Sequence, residues 1–223
     1  MLSHSFFICN SEKEPDRYNY LTNQIKLLNM TNTTFFHHIW GDEITDEIRD
    51  KYCRSDEFMR RAGRNMVQKP LTCGEISLYL NHIECLKYIK KTYTNGYFAI
   101  FESDVIFNES YNYDIDKLME KIKGINTDTF IVYIGERGSI KKNNNSDIIL
   151  KRYLYEEDFF AEGIIWSYKA VCKFLDHFEK TQLIDSPIDT KFVFSKDIFD
   201  IYASLPYLVR QGSISGLFQS HLR

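Results

Sequence analysis

The chain has 223 residues, a net charge of −3 and a hydrophobic fraction of 43%. A chain of this length can bury roughly 70% of the surface that it would expose when unfolded. Its aromatic content of 15% argues against intrinsic disorder. Because the chain has no overall basic excess, nucleic acids and anionic membranes are disfavoured as partners.

Location and redox state are predicted from what the sequence lacks. No run approaches the ~18 to 20 apolar residues of a membrane-spanning helix. The first residues lack the basic start and long apolar segment of a secretion signal. The five cysteines are scattered, without a CxxC pair, which argues against a disulfide framework or a zinc site. These features predict a soluble, cytoplasmic protein with reduced thiols and no transmembrane segment.

Apolar runs alternate with helical patterns in the first half of the chain. Between them, residues 53–70 are basic and polar and end in a proline, which is typical of a mobile loop. His37 and His38 are adjacent in a predicted strand and would face opposite sides of it, which argues against a shared metal site. The predicted strands cover residues 4–10 and 34–40, and the predicted helices cover residues 15–29, 44–51 and 74–91.

The helix at 74–91 has the strongest signal in the chain. Its apolar residues recur every three to four positions along one face. Thr72 followed by Glu75 fits a capping box, in which two side chains satisfy free amides at the start of a helix. A Thr-Asn-Gly turn at 94–96 then leads into the apolar stretch FAIFESDVIF, residues 98–107.

The second half continues the alternation of strands and helices. This order predicts an α/β fold with a mixed, mostly parallel central sheet flanked by helices. Ligands of such sheets bind beyond the carboxyl ends of the strands. The predicted strands cover residues 129–135, 148–155, 161–167 and 201–209, the predicted helices cover 114–123, 168–179 and a short stretch after Pro187, and 141–147 form a polar loop.

Two acids interrupt the apolar stretch FAIFESDVIF where the chain leaves its predicted strand, 98–101. In an extended chain, Glu102 and Asp104 project to the same side, about 7 Å apart. Such close carboxylates repel each other unless a cation or a donor lies between them. A hard ion such as Mg²⁺ or Mn²⁺ prefers one or two carboxylates with phosphate oxygens and water, which indicates a metal-bridged diphosphate. The alternative is that the acids begin a solvated turn.

This acid-x-acid pattern and several other segments resemble the family 25 glycosyltransferases of lipopolysaccharide biosynthesis and collagen galactosylation. The resemblance runs in order along nearly the whole chain. Two positions depart from the family pattern: Ser103 replaces the middle acid of a Glu-Asp-Asp motif, and Asn81 replaces a serine. The matching residues are Asn10, Pro15, Asp16 and Arg17; Gly74, Glu75 and His82; Glu102 and Asp104; the segment 159–174; Pro187 and Asp189; and Pro206, Gln211 and Ser215.

The resemblance implies a GT-A fold that binds a nucleotide sugar, with residues 1–223 as a single domain. It implies metal-dependent transfer of a hexose, galactose or glucose, from a UDP-sugar to a hydroxyl of a glycan or glycoprotein, with inversion. Mn²⁺ or Mg²⁺ would be held by Asp104, with Glu102 binding directly or through water. The expected base is Asp189, and Glu162 is the second candidate. Their alternatives are a charge at a helix start for Asp189 and an exposed strand-end acid for Glu162.

The resemblance also implies a set of donor-binding residues. Five of them have a structural alternative: first-turn decoration of a helix for Arg17, the capping box for Glu75, a core position for His82, and a polar tail for Gln211 and Ser215. The implied donor-binding residues are Asn10, Arg17, Glu75, His82, Glu102, Ser103, Gln211 and Ser215.

Two other functions compete with this hypothesis. A non-catalytic nucleotide-sugar or glycan binding module of the same fold is favoured if Ser103 reflects decay of the metal site. A nucleotidyltransferase or phosphohydrolase would call for further metal-binding acids or a glycine-rich phosphate loop early in the chain. The first predicted strand instead ends in CNSEKEPDR, which has no glycine.

Overall fold

The computed structural model describes residues 1–53, 58–62, 65–135, 147–152 and 161–219, with 58–62 and 65–69 described as backbone. Within these residues, seven strands form the main sheet, in the order β2-β1-β5-β9-β7-β10-β8. The strands are β1 (His4–Ile8), β2 (Thr33–Phe36), β3 (Phe58–Ala62), β4 (Asn65–Lys69), β5 (Tyr97–Glu102), β6 (Val105–Phe107), β7 (Phe130–Tyr133), β8 (Ile149–Arg152), β9 (Gly163–Ser167), β10 (Asp200–Leu205) and β11 (Val209–Gln211).

The main sheet is mixed, and most of its strands point the same way. β1 is parallel to β2 and β5, and β10 is parallel to β7. β9 runs antiparallel between β5 and β7, and β8 is antiparallel to β10 at the edge. The predicted α/β fold with a mostly parallel central sheet is therefore confirmed.

Helices cover both faces of this sheet. Alternation along β1 shows the division, since Phe6 and Ile8 join the core beneath α3, α5 and α6, whereas Phe7 joins the core beneath α1 and α4. The helices are α1 (Pro15–Leu27), α2 (Asp46–Tyr52), α3 (Cys73–Thr92), α4 (Tyr111–Lys123), α5 (Tyr168–Thr181) and α6 (Ile188–Phe194), with a 3₁₀ turn at Gly41–Glu43.

The strand directions bring distant parts of the chain to one edge of the sheet. β1 and β5 are parallel neighbours, so the residues after Ile8 and the acids from Glu102 onward emerge together. β9 is antiparallel to β5, and Gly163 pairs with Phe101, so the start of β9 lies at that edge too. The backbone amide of Glu102 donates to the carbonyl of Glu162 at 3.3 Å.

Several predicted elements were wrong in detail. The predicted loop at 53–70 contains an antiparallel hairpin, β3 with β4. The strand predicted at 34–40 ends at Phe36, and the strand predicted at 201–209 ends at Leu205, before β11 begins. Of the predicted polar loop at 141–147, only Asp147 lies inside the described residues. No helix in the described part of the chain is long and apolar enough to cross a membrane.

Candidate active site

A cavity of about 300 Å³ opens at the carboxyl ends of β1 and β5. Its walls come from six parts of the chain: the end of β1, the start of α1, the segment that follows β2, the first turns of α3, the turn after β5, and the end of β11 with the segment that follows it. The lining residues are Ile8, Glu14, Arg17, Trp40, Gly41, Asp42, Cys73, Gly74, Ser77, Leu78, Asn81, Glu102, Ser103, Asp104, Gln211 and Ser213.

The turn after β5 forms the acidic wall of the cavity. The strand ends at Glu102, and Ser103 and Asp104 form a turn into β6, so the extended geometry predicted across these residues is wrong. Glu102 and Asp104 are only 9% and 4% exposed, respectively. The alternative in which these acids begin a solvated turn is therefore excluded.

Glu102 lies in a strongly acidic environment. Burial raises the pKa of its carboxyl group well above the usual range, and the nearby charges of Asp104, Glu162 and Asp189 raise it further. Arg17 opposes this effect only weakly. The fold therefore brings both candidate bases near the predicted metal ligands, although neither lines the cavity.

The two candidate bases differ in accessibility. Asp189 is partly exposed in the first turn of α6, where its carboxylate accepts from the amide of Thr190 at 2.6 Å. Glu162 is completely buried, so its alternative as an exposed strand-end acid is wrong. A Cβ atom on Gly135 would lie 2.4 Å from the Glu162 carboxylate, so the absence of a side chain at position 135 makes room for this acid.

The middle of the turn makes a buried polar network. The Ser103 hydroxyl donates to the Glu14 carboxylate at 2.7 Å and accepts from the Arg17 guanidinium at 2.7 Å. Arg17 also donates to the same Glu14 oxygen at 2.9 Å and to the carbonyl of Gln219, and it lies over the ring of Phe218. Arg17 was predicted to bind the nucleotide, but much of the hydrogen-bonding capacity of its guanidinium group is used by these contacts within the protein.

The segment after β11 packs on the acidic turn. The amide of Gly212 donates to the carbonyl of Asp104 at 2.7 Å, and the amide of Ser213 donates to the Asp104 carboxylate at 3.2 Å. A Cβ atom on Gly212 would lie 2.7 Å from that carbonyl, so a glycine allows this approach. Gln211 lines the cavity, whereas Ser215 is exposed and donates to the carbonyl of Gly212.

Asn81 connects α3 to the segment that follows β2. Its side-chain oxygen accepts from the amide of His38 at 2.7 Å, and its nitrogen donates to the carbonyls of Ile39 at 2.6 Å and Ser77 at 2.8 Å. These bonds fix the backbone leading to Trp40, which lines the cavity. A serine at position 81 could not span both partners.

Asn10 is placed by contacts within the protein. Its side-chain oxygen accepts from the amides of Glu12 at 2.9 Å and Lys13 at 3.1 Å, which is a local turn geometry. Its side-chain nitrogen lies 3.0 Å from Nε2 of His37. The interpretation of His37 and His38 as neighbours within a strand was wrong, because β2 ends at Phe36, before both of them.

Two predicted donor-binding residues on α3 do not line the cavity. Glu75 completes the predicted capping box, accepting from the amide of Thr72 at 2.9 Å. His82 is completely buried and meets the ring of Phe192 edge to face, and burial lowers its pKa to about 3. His82 is therefore a neutral core residue in this conformation.

Glu102 and Asp104 suit a hard divalent cation by the chemistry of their oxygen atoms. In the described part of the chain, no group of three or more His, Cys, Asp or Glu side chains is arranged to hold a metal ion. A pair of carboxylates is nevertheless a donor set that Mg²⁺ uses when substrate phosphates and water complete its coordination. The pair fits a cation that arrives with a diphosphate.

Sequence reasoning missed several cavity residues. Glu14 precedes the helix and looks like part of a solvated charge run, yet it is 5% exposed. Its spacing of three residues from Arg17 is the signal that could have indicated the pair. Trp40 and Asp42 come from a segment with no pattern of its own, and their place in the cavity wall depends on tertiary structure.

The sequence profile described as glycosyltransferase family 25 (LPS biosynthesis protein) matches residues 3–190. This match covers well over half of the chain, and the α/β fold with its cavity at the carboxyl edge of the sheet agrees with it. The chain therefore belongs to glycosyltransferase family 25. No curated protein matches the chain. The segment that carries Gln211 and Ser215 lies beyond the matched residues.

Proposed function

We propose that this family 25 protein is a metal-dependent hexosyltransferase. It moves galactose or glucose from a UDP-sugar to a hydroxyl of a glycan or glycoprotein, with inversion at the sugar carbon. The observation that carries the proposal is the charge of the cavity. Glu102 and Asp104 face it from a buried turn, and no basic side chain in the described ranges lies within ion-pair distance of either.

The other charged residues of the cavity wall are paired. Arg17, its only basic lining residue among those described, forms a buried ion pair with Glu14 at 2.9 Å. Asp42 pairs with Lys13 at 2.5 Å. Asp104, and Glu102 when it is ionised, would repel a diphosphate, so a nucleotide sugar needs a divalent cation to bind beside them.

The cation would be held by Asp104, with Glu102 binding directly or through water. When bound, Mn²⁺ or Mg²⁺ supplies Lewis-acid stabilisation of the negative charge on the leaving diphosphate. The protein itself holds Asp104 in place, because the amides of Gly212 and Ser213 bind its carbonyl and carboxylate. Trp40 and Gln211 line the part of the cavity in which the nucleoside and the sugar would bind.

Asp189 is the favoured base. In a single displacement, the acceptor hydroxyl attacks the anomeric carbon, the bond from that carbon to the diphosphate oxygen breaks, and the hydroxyl proton passes to a carboxylate. Asp189 is partly exposed and can meet an acceptor, whereas Glu162 is fully buried. Glu162 instead adds to the negative potential around Glu102.

A screen of nucleotide sugars tests the proposal. Thermal shift with UDP should show stabilisation that depends on Mn²⁺, and UDP-galactose or UDP-glucose should be hydrolysed slowly when Mn²⁺ is present. A matched mixture with Ca²⁺ in place of Mn²⁺ controls for ionic strength. UDP binding without turnover for any donor or acceptor would favour a nucleotide-sugar binding module, and the absence of Mn²⁺-dependent UDP binding would overturn the proposal.

A further inference from the structure

Ser103 occupies an unusual position between two opposite charges. Its hydroxyl oxygen lies 2.7 Å from a carboxylate oxygen of Glu14 and 2.7 Å from a guanidinium nitrogen of Arg17. Glu14 and Arg17 are themselves in direct contact at 2.9 Å. All three residues are less than 9% exposed, so water does little to screen these charges.

The charge balance around Ser103 allows one carboxylate beside Arg17 and disfavours a second. A buried Arg17 needs one negative partner, because an isolated buried charge is strongly unfavourable. An acid at position 103 would place a second carboxylate where the Ser103 hydroxyl now donates to Glu14, and two buried carboxylates at that distance repel each other. An acid at 103 and an acid at 14 are therefore alternatives.

We propose that Glu14 is a positioning residue of the donor site that takes the place of an acid at position 103. Its carboxylate enters from the start of α1 and neutralises Arg17, which lies against the same turn as Glu102 and Asp104. The positive charge of Arg17 is thereby kept from cancelling the two acids that face the cavity. This inference rests on the proposed function for its ligand, a divalent cation with a diphosphate.

The network also positions the segment after β11. Arg17 donates to the carbonyl of Gln219 and lies 5.4 Å from the ring centroid of Phe218, and the same segment supplies the amides that hold Asp104. Glu14 thus acts on Asp104 through Arg17 and through this segment. It does not need to touch the substrate.

A charge-exchange experiment tests this role with E14Q, S103D and the double variant E14Q/S103D. E14Q leaves Arg17 without its carboxylate, and S103D crowds two carboxylates together, so each should lower the melting temperature. The double variant restores one acid beside Arg17 and should recover most of that loss. E12Q removes an exposed acid two residues earlier and is the matched control, expected to melt like the wild type.

Ligand binding separates positioning from a purely structural role. E14Q should weaken Mn²⁺-dependent UDP binding by up to roughly 10-fold, the lower end of the range found when a direct partner of a metal ligand is removed, because Glu14 acts on Asp104 only through other residues. The same variant should bind UDP without Mn²⁺ more tightly than the wild type, because the positive charge of Arg17 beside the cavity is then no longer neutralised. E14Q/S103D should reverse both changes.

The outcomes separate this inference from the proposed function. If the wild type binds neither UDP nor Mn²⁺, the proposed function fails, and recovery of the melting temperature in the double variant still supports the exchange of acids. Additive destabilisation in E14Q/S103D would overturn the exchange even if UDP binds. Equal weakening of UDP binding with and without Mn²⁺ in E14Q would reduce Glu14 to a structural residue.

Discussion

The two sides of the turn after β5 differ in charge balance. On the Ser103 side, Arg17 and Glu14 neutralise each other, and every one of the three side chains has a hydrogen-bond partner. On the other side, Glu102 lies among further acids, and burial together with their charges raises its pKa. Both sides are buried, so burial alone does not explain the difference.

From this contrast we expect one side of the turn to contribute to stability and the other to the proposed ligand binding. In a buried, balanced network each charge has a partner, which offsets at least part of the cost of removing it from water. A buried cluster of like charges costs free energy in the unliganded protein, and a bound cation would return it. Residues on the unbalanced side are therefore the ones whose replacement should affect activity most.

The largest effect is expected for Asp104→Ala. This change removes the surest proposed cation ligand and should reduce transfer by at least about 100-fold, the scale on which loss of one group that stabilises transition-state charge is felt. The measurement is initial rate of transfer or donor hydrolysis at saturating Mn²⁺, with the melting temperature as a check on folding. Asp42→Asn is the matched control, because Asp42 already pairs with Lys13. Retained metal-dependent turnover in Asp104→Ala would show that the acidic side of the turn does not hold the cation.

Asp189→Asn should have a comparable effect, a loss of activity that appears in kcat alone. Loss of a general base reduces kcat by about 100-fold to 10,000-fold with little change in KM for the donor. Glu162→Gln is the control, and if it removes turnover while Asp189→Asn does not, the roles of the two acids are reversed.

Local pattern predicted much of the fold and the position of the acids. Periodicity and end signals predicted helix α3, with its capping box, and the strand that ends at Glu102. The predicted bounds of both elements differ from the observed ones by one residue at each end. The proximity of Glu162 to Glu102 depends on an antiparallel strand inserted between parallel neighbours, which periodicity does not encode. Pairing of Glu14 with Ser103 joins residues 89 positions apart.

A moderate loss of stability is expected for Asn81→Ser. The change removes two partly buried bonds, from the amide of His38 and to the carbonyl of Ile39, at a combined cost of about 1 to 3 kcal/mol. For a chain of this length, each kcal/mol lowers the melting temperature by roughly 2 to 4 °C. Asn126→Ser, at an exposed position, is the control and should melt like the wild type. A kcat loss in Asn81→Ser larger than that of Asp104→Ala would move the functional side of the site to α3.

The smallest effect, and the one with the opposite sign, is expected for Glu102→Gln. Because folding raises the pKa of Glu102, this group stabilises the fold below its unfolded pKa, and the contribution is lost as pH rises through the folded pKa. Glu102→Gln removes that loss, so without divalent cations the variant should exceed the wild type in stability at pH 8 by on the order of 1 kcal/mol, with a smaller difference at pH 5. Melting curves at both pH values give the measurement.

Added Mn²⁺ should stabilise the wild type more at pH 8 than at pH 5, since binding displaces the Glu102 proton. This pH dependence should be weaker in Glu102→Gln. Parallel curves for the two proteins would mean that the acidic side of the turn carries no strain for a cation to relieve.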